Sequence, residues 1–524
     1  MLAIDNGSAF LVIYPKDSSI VRLIQPKIDP KLIRDWLQHC QDNHSDTDHF
    51  PETIVDAVNL TQALGLRYLW IDRYCIDHSD RAEVKEQVTQ MDLIYRHAYL
   101  TIIAAAGATP HYGLPGVGNR CRSPQLQGMV LGEKLVSTLP DPISEIKQAI
   151  WYHRGWTYQE GILSPRRLIF TDRQMYFECS GMYCCEALNF PLGDLHMDDG
   201  KQFYEKYCHG INIGLFPKEL GKVPWEVVKR IEEYTKRQLT KPSDILNGIS
   251  GILNAFKRSC EVRHCAGVPM IPSGRKRTGK SKEYKDKWPP KFGFCAGLSW
   301  AATSPSERRP GFSSWSWTSC RSEIKWGIKD EDWRYLEPND DLELSIQLEN
   351  GEYEDVEEFH ESYGDTGKKV SGTLHVSTSM YLLEIQQSET SDSDFQYEVK
   401  VELEELKNVE LEKEELKNQE LKNQEVKYNA TGLWSFTPTY TTPIPAGTKC
   451  FGIDLCHTAN RSLGKWYVLV IREVDNGCHE RVGFGTMDGT TRPTIKTEPK
   501  SIPSPTVPPP RLTPKKLRKE LYLR

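Results

Sequence analysis

The chain lacks any apolar run near the roughly eighteen residues needed to cross a bilayer, and no apolar leader follows Met1, so neither a membrane span nor a signal peptide is expected. It has no G-x-x-x-x-G-K-[ST] and no G-x-G-x-x-G between a strand and a helix, which removes the common glycine-rich phosphate cradles. Its fourteen cysteines contain no C-x-x-C pair with a matching second half. The local thiol clusters are Cys179, Cys184 and Cys185; Cys260 and Cys265 with His264; and Cys450 and Cys456 with His457. None has zinc-ligand spacing, and no metal is expected. Scattered thiols without a leader read as reduced, which points to the cytoplasm. An excess of positive charge is missing too: 66 Lys and Arg against 72 Asp and Glu leave a net charge of -6, so nucleic acid is not an expected partner.

What is present begins with length, since 524 residues suffice for about three domains. The chain is organised around Leu66 to Gly107. An apolar run, Tyr68 to Ile71, stops on Asp72 and reads as a buried strand carrying a carboxylate at its C-terminal end. The loop Arg73 to Asp80 follows. Val84, Val88, Met91 and Tyr95 then make the apolar stripe of a helix, and Tyr99 to Ala106 reads as a second strand. Two apolar strands joined by a helix are expected to be parallel neighbours, with ligands beyond their carboxyl ends, where Asp72, Cys75 and Asp77 would lie.

Upstream, Ala9 to Tyr14 reads as a strand, and a helix from Pro30 carries Leu32, Ile33, Trp36, Leu37 and Cys40. A helix over Glu52 to Leu64, with Ile54, Val55, Val58 and Leu64 as its apolar residues, is closed by Gly65. Between Thr109 and Pro142 only one short strand is expected, Gly128 to Leu131. From Ile150 the pattern is one helix and a β-hairpin, Leu168 to Thr171 and Met175 to Cys179, turning at Asp172 and Arg173. That helix is aromatic on two faces, so Arg154, Gln159 and Glu160 need buried partners. Two further helices, residues 224–239 and 243–256, follow, the second with Ser243 as N-cap. Phe312, Trp315 and Trp317 read as strand positions of a β-rich module reaching Gly485.

Residues 386–427 carry a charged five-residue repeat that makes no helical seam and read as a solvated insert, helical at most. The proline-rich, basic segment from Thr491 reads as disordered or polyproline II.

Two constellations remain as candidate sites. Asp72, Cys75 and Asp77 are either ligand-facing groups or loop caps with a small packing thiol. Arg154 and Glu160 are either a buried packing pair or a carboxylate tuned by burial for a ribose-bearing or cationic ligand.

The segments YLWIDRYCID, RGWTYQE and LIFTDRQMYFEC, in that order, resemble the fungal heterokaryon-incompatibility (HET) domain, and LTKPSDILNGISGIL and GFSSWSW are similar to segments that follow it. The resemblance implies an α/β, partly parallel domain like the Toll/interleukin-1 receptor (TIR) and flavodoxin folds, followed by a mixed α then β-rich companion region. It divides the chain into an N-terminal segment (1–50), the HET domain (51–187), a helical region (188–260), a β-rich region (288–485) and a tail (486–524). It implies a role in non-self recognition and programmed cell death, with protein partners including self-association. As some TIR domains cleave NAD with a glutamate, it makes NAD a candidate substrate. It carries over Trp70, Asp72, Cys75 and Asp77 from the first motif and Arg154, Trp156, Gln159 and Glu160 from the second, with Glu160 and Asp72 as the catalytic candidates and no resident cofactor. PETIVDAVNLTQALG matches the family's next helix, yet no A-L-S-Y-x-W-G strand precedes it. Three readings stay open: a signalling or NAD-cleaving protein, a non-enzymatic interaction protein, and an inactive HET paralogue.

Overall fold

A computed structural model describes residues 50–524 apart from 138, 189–213, 218–219, 222, 275–286, 363–369, 387–396, 406–429, 441–443, 459–463, 476, 489–511 and 515. The strand expected at Ala9 to Tyr14 and the helix expected from Pro30 lie outside these residues.

Helix α1 spans Glu52–Ala63 and is closed by Gly65 at φ +70°, where the Leu66 amide returns to Thr61 O at 3.0 Å. Its buried face is Asp56, Ala57 and Thr61, whereas the expected apolar residues Val55 and Val58 are each 40% exposed. The reversal has a local cause. Asp56 Oδ2 accepts the Leu114 amide at 2.7 Å, and the following loop closes over the carboxylate so tightly that a Cβ on Gly118 would lie 2.1 Å from Asp56 Oδ1.

The strand expected at Tyr68 to Ile71 does not form. The chain there is extended at Ile71, but residues 66–71 enter no ladder and Tyr68 is 86% exposed. Asp72 instead opens a short helix, α2, Asp72–Cys75. Helix α3, Arg81–His97, is capped by Asp80, whose carboxylate accepts the Ala82 amide at 2.8 Å, and it buries Met91 and Tyr95 as its stripe requires. Strand β1 is Thr101–Ala104.

An exposed hairpin, β2 Gln127–Val130 and β3 Glu133–Val136, follows, one strand more than expected; its turn places Leu131 and Gly132 at positive φ. Helix α4 is Pro142–Gln148. The single helix expected next is broken into α5, Ile150–His153, and α6, Trp156–Leu163. The break exists because this backbone pairs with a distant segment. Gly155 N–H donates to Gln238 O and Gln238 N–H to His153 O, both at 2.7 Å.

Strands β4 Arg166–Phe170, β5 Met175–Cys179 and β6 Tyr183–Cys185 complete a sheet of order β1-β4-β5-β6. Only the β1–β4 pair is parallel, so the parallel partner of β1 is β4 rather than residues 66–71.

Helix α7, Glu226–Thr235, and helix α8, Asn247–Cys260, come next. Ser243 lies in a separate 3-10 turn, Pro242–Ile245, so it does not cap α8. Ile249, Ile252 and Phe256 of α8 are fully buried and contribute about 1.5–3 kcal/mol each. They join one continuous core that runs from Met91 and Tyr95 to Trp315, Trp317 and Leu523. Trp315 and Trp317 are core residues but not strand residues: Trp317 begins a 3-10 turn, and the two indoles donate to Gly372 O at 2.9 Å and Gly267 O at 2.7 Å.

The C-terminal half is a large, mainly antiparallel sheet centred on Val370–Gln386. Two expectations are corrected there. Tyr397–Glu405, inside the supposed solvated insert, is a strand paired with Ala430–Pro438, because Val399, Val401 and Leu403 alternate with charged residues. Within the supposed disordered tail, Lys516–Leu523 is a strand in register with Val370–Gln386, and Leu521 and Leu523 are buried. Glu52–Arg524 forms one compact unit of mixed helix and strand.

Candidate active site

The break at Arg154 and Gly155 lets two short helices meet at an angle that one helix could not give. Trp151 of α5 thereby reaches Glu160 of α6, its indole N–H donating to Oε2 at 3.4 Å. Thr157 seals the break, its hydroxyl donating to the Trp151 carbonyl and to the Arg154 carbonyl, the latter at 2.9 Å. Arg167 of β4 caps the other end of α6, donating to Gly161 O at 2.6 Å and Ser164 O at 2.9 Å while pairing with Glu178 at 3.5 Å.

Around Glu160 gather Asp72 from α2, Tyr95 from α3 and Arg154 from the break. Burial pushes the Glu160 carboxyl up to about 7; Arg154 opposes the shift, Asp72 adds to it, and the Trp151 bond opposes it. Burial also raises the Tyr95 phenol, with Glu160 and Asp72 adding and Arg154 opposing. Glu160 and Tyr95 both feel Asp72 and Arg154, which puts the four in one locality. Glu160 is half-buried and keeps partial solvent access. Trp70 closes one side, its ring edge-to-face on Tyr95 at 6.0 Å.

The polar atoms here are largely uncommitted among the described residues. Arg154 makes no ion pair, the Tyr95 hydroxyl makes no hydrogen bond, and Glu160 accepts side-chain donation from Trp151 alone. Asp72 has one oxygen occupied by the Arg73 amide at 2.7 Å. A carboxyl with a raised pKa, a free guanidinium, a second carboxylate and aromatic walls can bind a polar ligand and move a proton near neutral pH.

The other expected site residues stand elsewhere. Gln159 is fully buried between α3 and α8, its amide donating to Met91 Sδ at 3.8 Å and its oxygen accepting the Gly251 amide of α8 at 3.3 Å. Asp77 is exposed and holds a turn, accepting the Ser79 amide and hydroxyl, which pull its carboxyl below the usual range. Cys75 is exposed, with its sulfur against the Ile71 amide at 3.4 Å, and Trp156 packs on the core. The structure therefore joins Asp72, Arg154 and Glu160 and leaves Cys75, Asp77, Trp156 and Gln159 in supporting positions. Tyr95 and Trp151 were legible only as apolar packing residues; their polar atoms gain a role from neighbours distant in sequence.

The segment beyond residue 188 grips this site. Tyr158 OH donates to Glu233 Oε2 at 2.5 Å, Arg237 stacks on Tyr152 at 4.3 Å and Tyr158 at 4.5 Å, and Arg258 pairs with the buried Asp92 of α3. Among the described residues no group of three or more His, Cys, Asp or Glu is placed to hold a metal ion, and no helix is long and apolar enough to cross a membrane.

Residues 31–160 match the family model described as Heterokaryon incompatibility protein (HET). The match takes in α1 to α3, β1 and both motif segments and ends on Glu160, while β4 to β6, which complete the sheet, lie beyond it. No curated protein and no solved structure matches the chain. With the two motif segments drawn around one cluster and the family match spanning both, residues 31–160 of the chain are assigned to a heterokaryon-incompatibility (HET) domain.

Proposed function

We propose that this protein acts in fungal non-self recognition as a cytoplasmic executor of cell death, and that its HET domain does so by hydrolysing the N-ribosyl bond of NAD. The observation that carries the reading is Glu160, a carboxyl raised to about 7 beside uncommitted Arg154 and Tyr95 groups. The parallel β1–β4 pair with its helices supports kinship with the TIR fold, to which β5 and β6 would be antiparallel additions.

In such a reaction the ribose–nitrogen bond breaks with its electron pair leaving on the pyridine nitrogen, so nicotinamide departs neutral. Positive charge develops on the ribose. Ionised Glu160 stabilises that charge and takes a proton from the attacking water, whose oxygen forms the new bond to the ribose. The products are ADP-ribose, nicotinamide and one proton. Asp72 adds negative potential at the same place, and Trp151 holds the carboxylate's orientation. Expressed in a fungal host, the wild-type chain is expected to be toxic and to deplete NAD, and Glu160→Ala to lose both effects. Toxicity retained by Glu160→Ala with NAD unchanged removes the hydrolytic reading.

A second reading, a non-enzymatic interaction protein that works through protein partners or self-association, is favoured by the β2–β3 hairpin. Met129, Leu131 and Leu135 there are 66%, 100% and 55% exposed. Toxicity without NAD loss, abolished by Leu131→Asp and Leu135→Asp, would select it.

A further inference from the structure

Arginines around α6 commit their guanidinium groups to the fold, with one exception. Arg167 holds two carbonyls and Glu178, Arg237 the Tyr152 carbonyl and two rings, and Arg258 the Asp92 carboxylate. Arg154 has an exposed side chain with no hydrogen bond or ion pair among the described residues, yet its backbone is fixed on every side. Its N–H donates to Trp151 O at 3.3 Å, its carbonyl accepts the Thr157 hydroxyl at 2.9 Å, and it bridges to Gln238. The next residue packs closely in this docking: a Cβ on Gly155 would lie 2.5 Å from Leu239 Cδ2 and 3.3 Å from Gln238 O. A free cation is thus carried on a rigid stem, and its charge bears on both Glu160 and Tyr95.

We propose that Arg154 binds the phosphate of the ribosyl substrate, so that the site takes 5′-phosphorylated N-ribosides and discriminates against free nucleosides. The assignment rests on the hydrolase reading, which puts the ribose at Glu160. The forked donors of a guanidinium match phosphate oxygens in pairs, and a pre-positioned stem leaves only the side chain to be ordered on binding. Asp72, the exposed acid of the cluster, has one oxygen occupied by the Arg73 amide and shares the locality without pairing to Arg154 among the described residues.

The test uses the full chain, with hydrolysis and equilibrium dialysis of nicotinamide mononucleotide and nicotinamide riboside compared for wild type, Arg154→Gln and Arg154→Lys. The wild type should favour the mononucleotide at least about tenfold in kcat/KM, as one charge-assisted bond allows. Measured above pH 8, where Glu160 is ionised with or without the neighbouring charge, Arg154→Gln should lose that preference, its kcat/KM falling at least about tenfold more for the mononucleotide than for the riboside, and Arg154→Lys should restore part of it. Melting temperatures should not differ, since the side chain holds nothing in the fold. An equal loss on both substrates, or a wild type without preference, overturns the proposal while hydrolysis stands. Selective binding of the mononucleotide through Arg154 without turnover instead upholds the phosphate site and overturns the hydrolase reading. Absence of both binding and turnover overturns both.

Discussion

Trp151 and Glu160 belong to two helices separated by the Arg154 break, and the indole N–H of the first donates to the carboxylate of the second at 3.4 Å. The bond favours the ionised carboxylate and works against the upward push of burial. Trp151→Phe removes the donor while keeping an aromatic ring in the core. Any pH-dependent activity of the site should then show its midpoint shifted upward, and the chain should lose about 1–3 kcal/mol for the smaller ring and lost bond. A midpoint unmoved in the pH–rate profile would separate Trp151 from the site.

The raised Glu160 carboxyl sets a sign for stability against pH. Unfolded, the group ionises near its ordinary 4.5; folded, it keeps its proton up to about 7. Between those values the folded chain binds more protons than the unfolded one, so this group's contribution to stability falls as pH rises from 4.5 to 7 and then levels off. Glu160→Gln titrates in neither state. It should melt like the wild type near pH 4.5 and be more stable on the order of 1–2 kcal/mol at pH 8. Melting curves at the two pH values check this, and a gap that narrows with rising pH would contradict it.

Gly155→Ala should disturb the junction between the HET domain and the segment that grips it. Its Cβ meets Leu239 Cδ2 at 2.5 Å and Gln238 O at 3.3 Å, so the Leu239 side chain must move aside and the 238–239 backbone must give slightly. A loss of about 1–3 kcal/mol is expected in denaturant unfolding. Unaltered stability would show that the junction is looser than these distances require.

Helix α3 and the β4–β5 hairpin were legible in the sequence because their signals are local: a stripe ending on Met91 and Tyr95, and two apolar runs around Asp172 and Arg173. The Tyr68 to Ile71 strand was misread because a strand needs a neighbour, and β1 already has β4 on one side with no further strand on the other among the described residues. The Lys516–Leu523 strand was missed for the converse reason. KLRKELYL reads as charged until Val370–Gln386, far earlier in the chain, supplies its ladder. Within the site, Asp72, Arg154 and Glu160 were visible as motif residues. Tyr95 and Trp151 read as core, since no spacing rule joins residues from separate helices.

That C-terminal strand gives its own prediction. Leu521 is 1% exposed beneath the central sheet, opposite Val376 in the ladder. Leu521→Ala should cost about 2–5 kcal/mol in equilibrium unfolding. A cost below about 0.5 kcal/mol would mean that the strand contributes little to the core.

The central claim is that Glu160 works on an N-ribosyl bond. Its most direct measurement is the release of nicotinamide and ADP-ribose from NAD by the purified full chain, wild type beside Glu160→Gln, followed from pH 5 to pH 9. The account predicts wild-type turnover rising through about pH 7 as Glu160 ionises, and a loss of at least about 100-fold in a Glu160→Gln protein that still melts cooperatively. Equal turnover by the two proteins, or none by the wild type across that range, would contradict it.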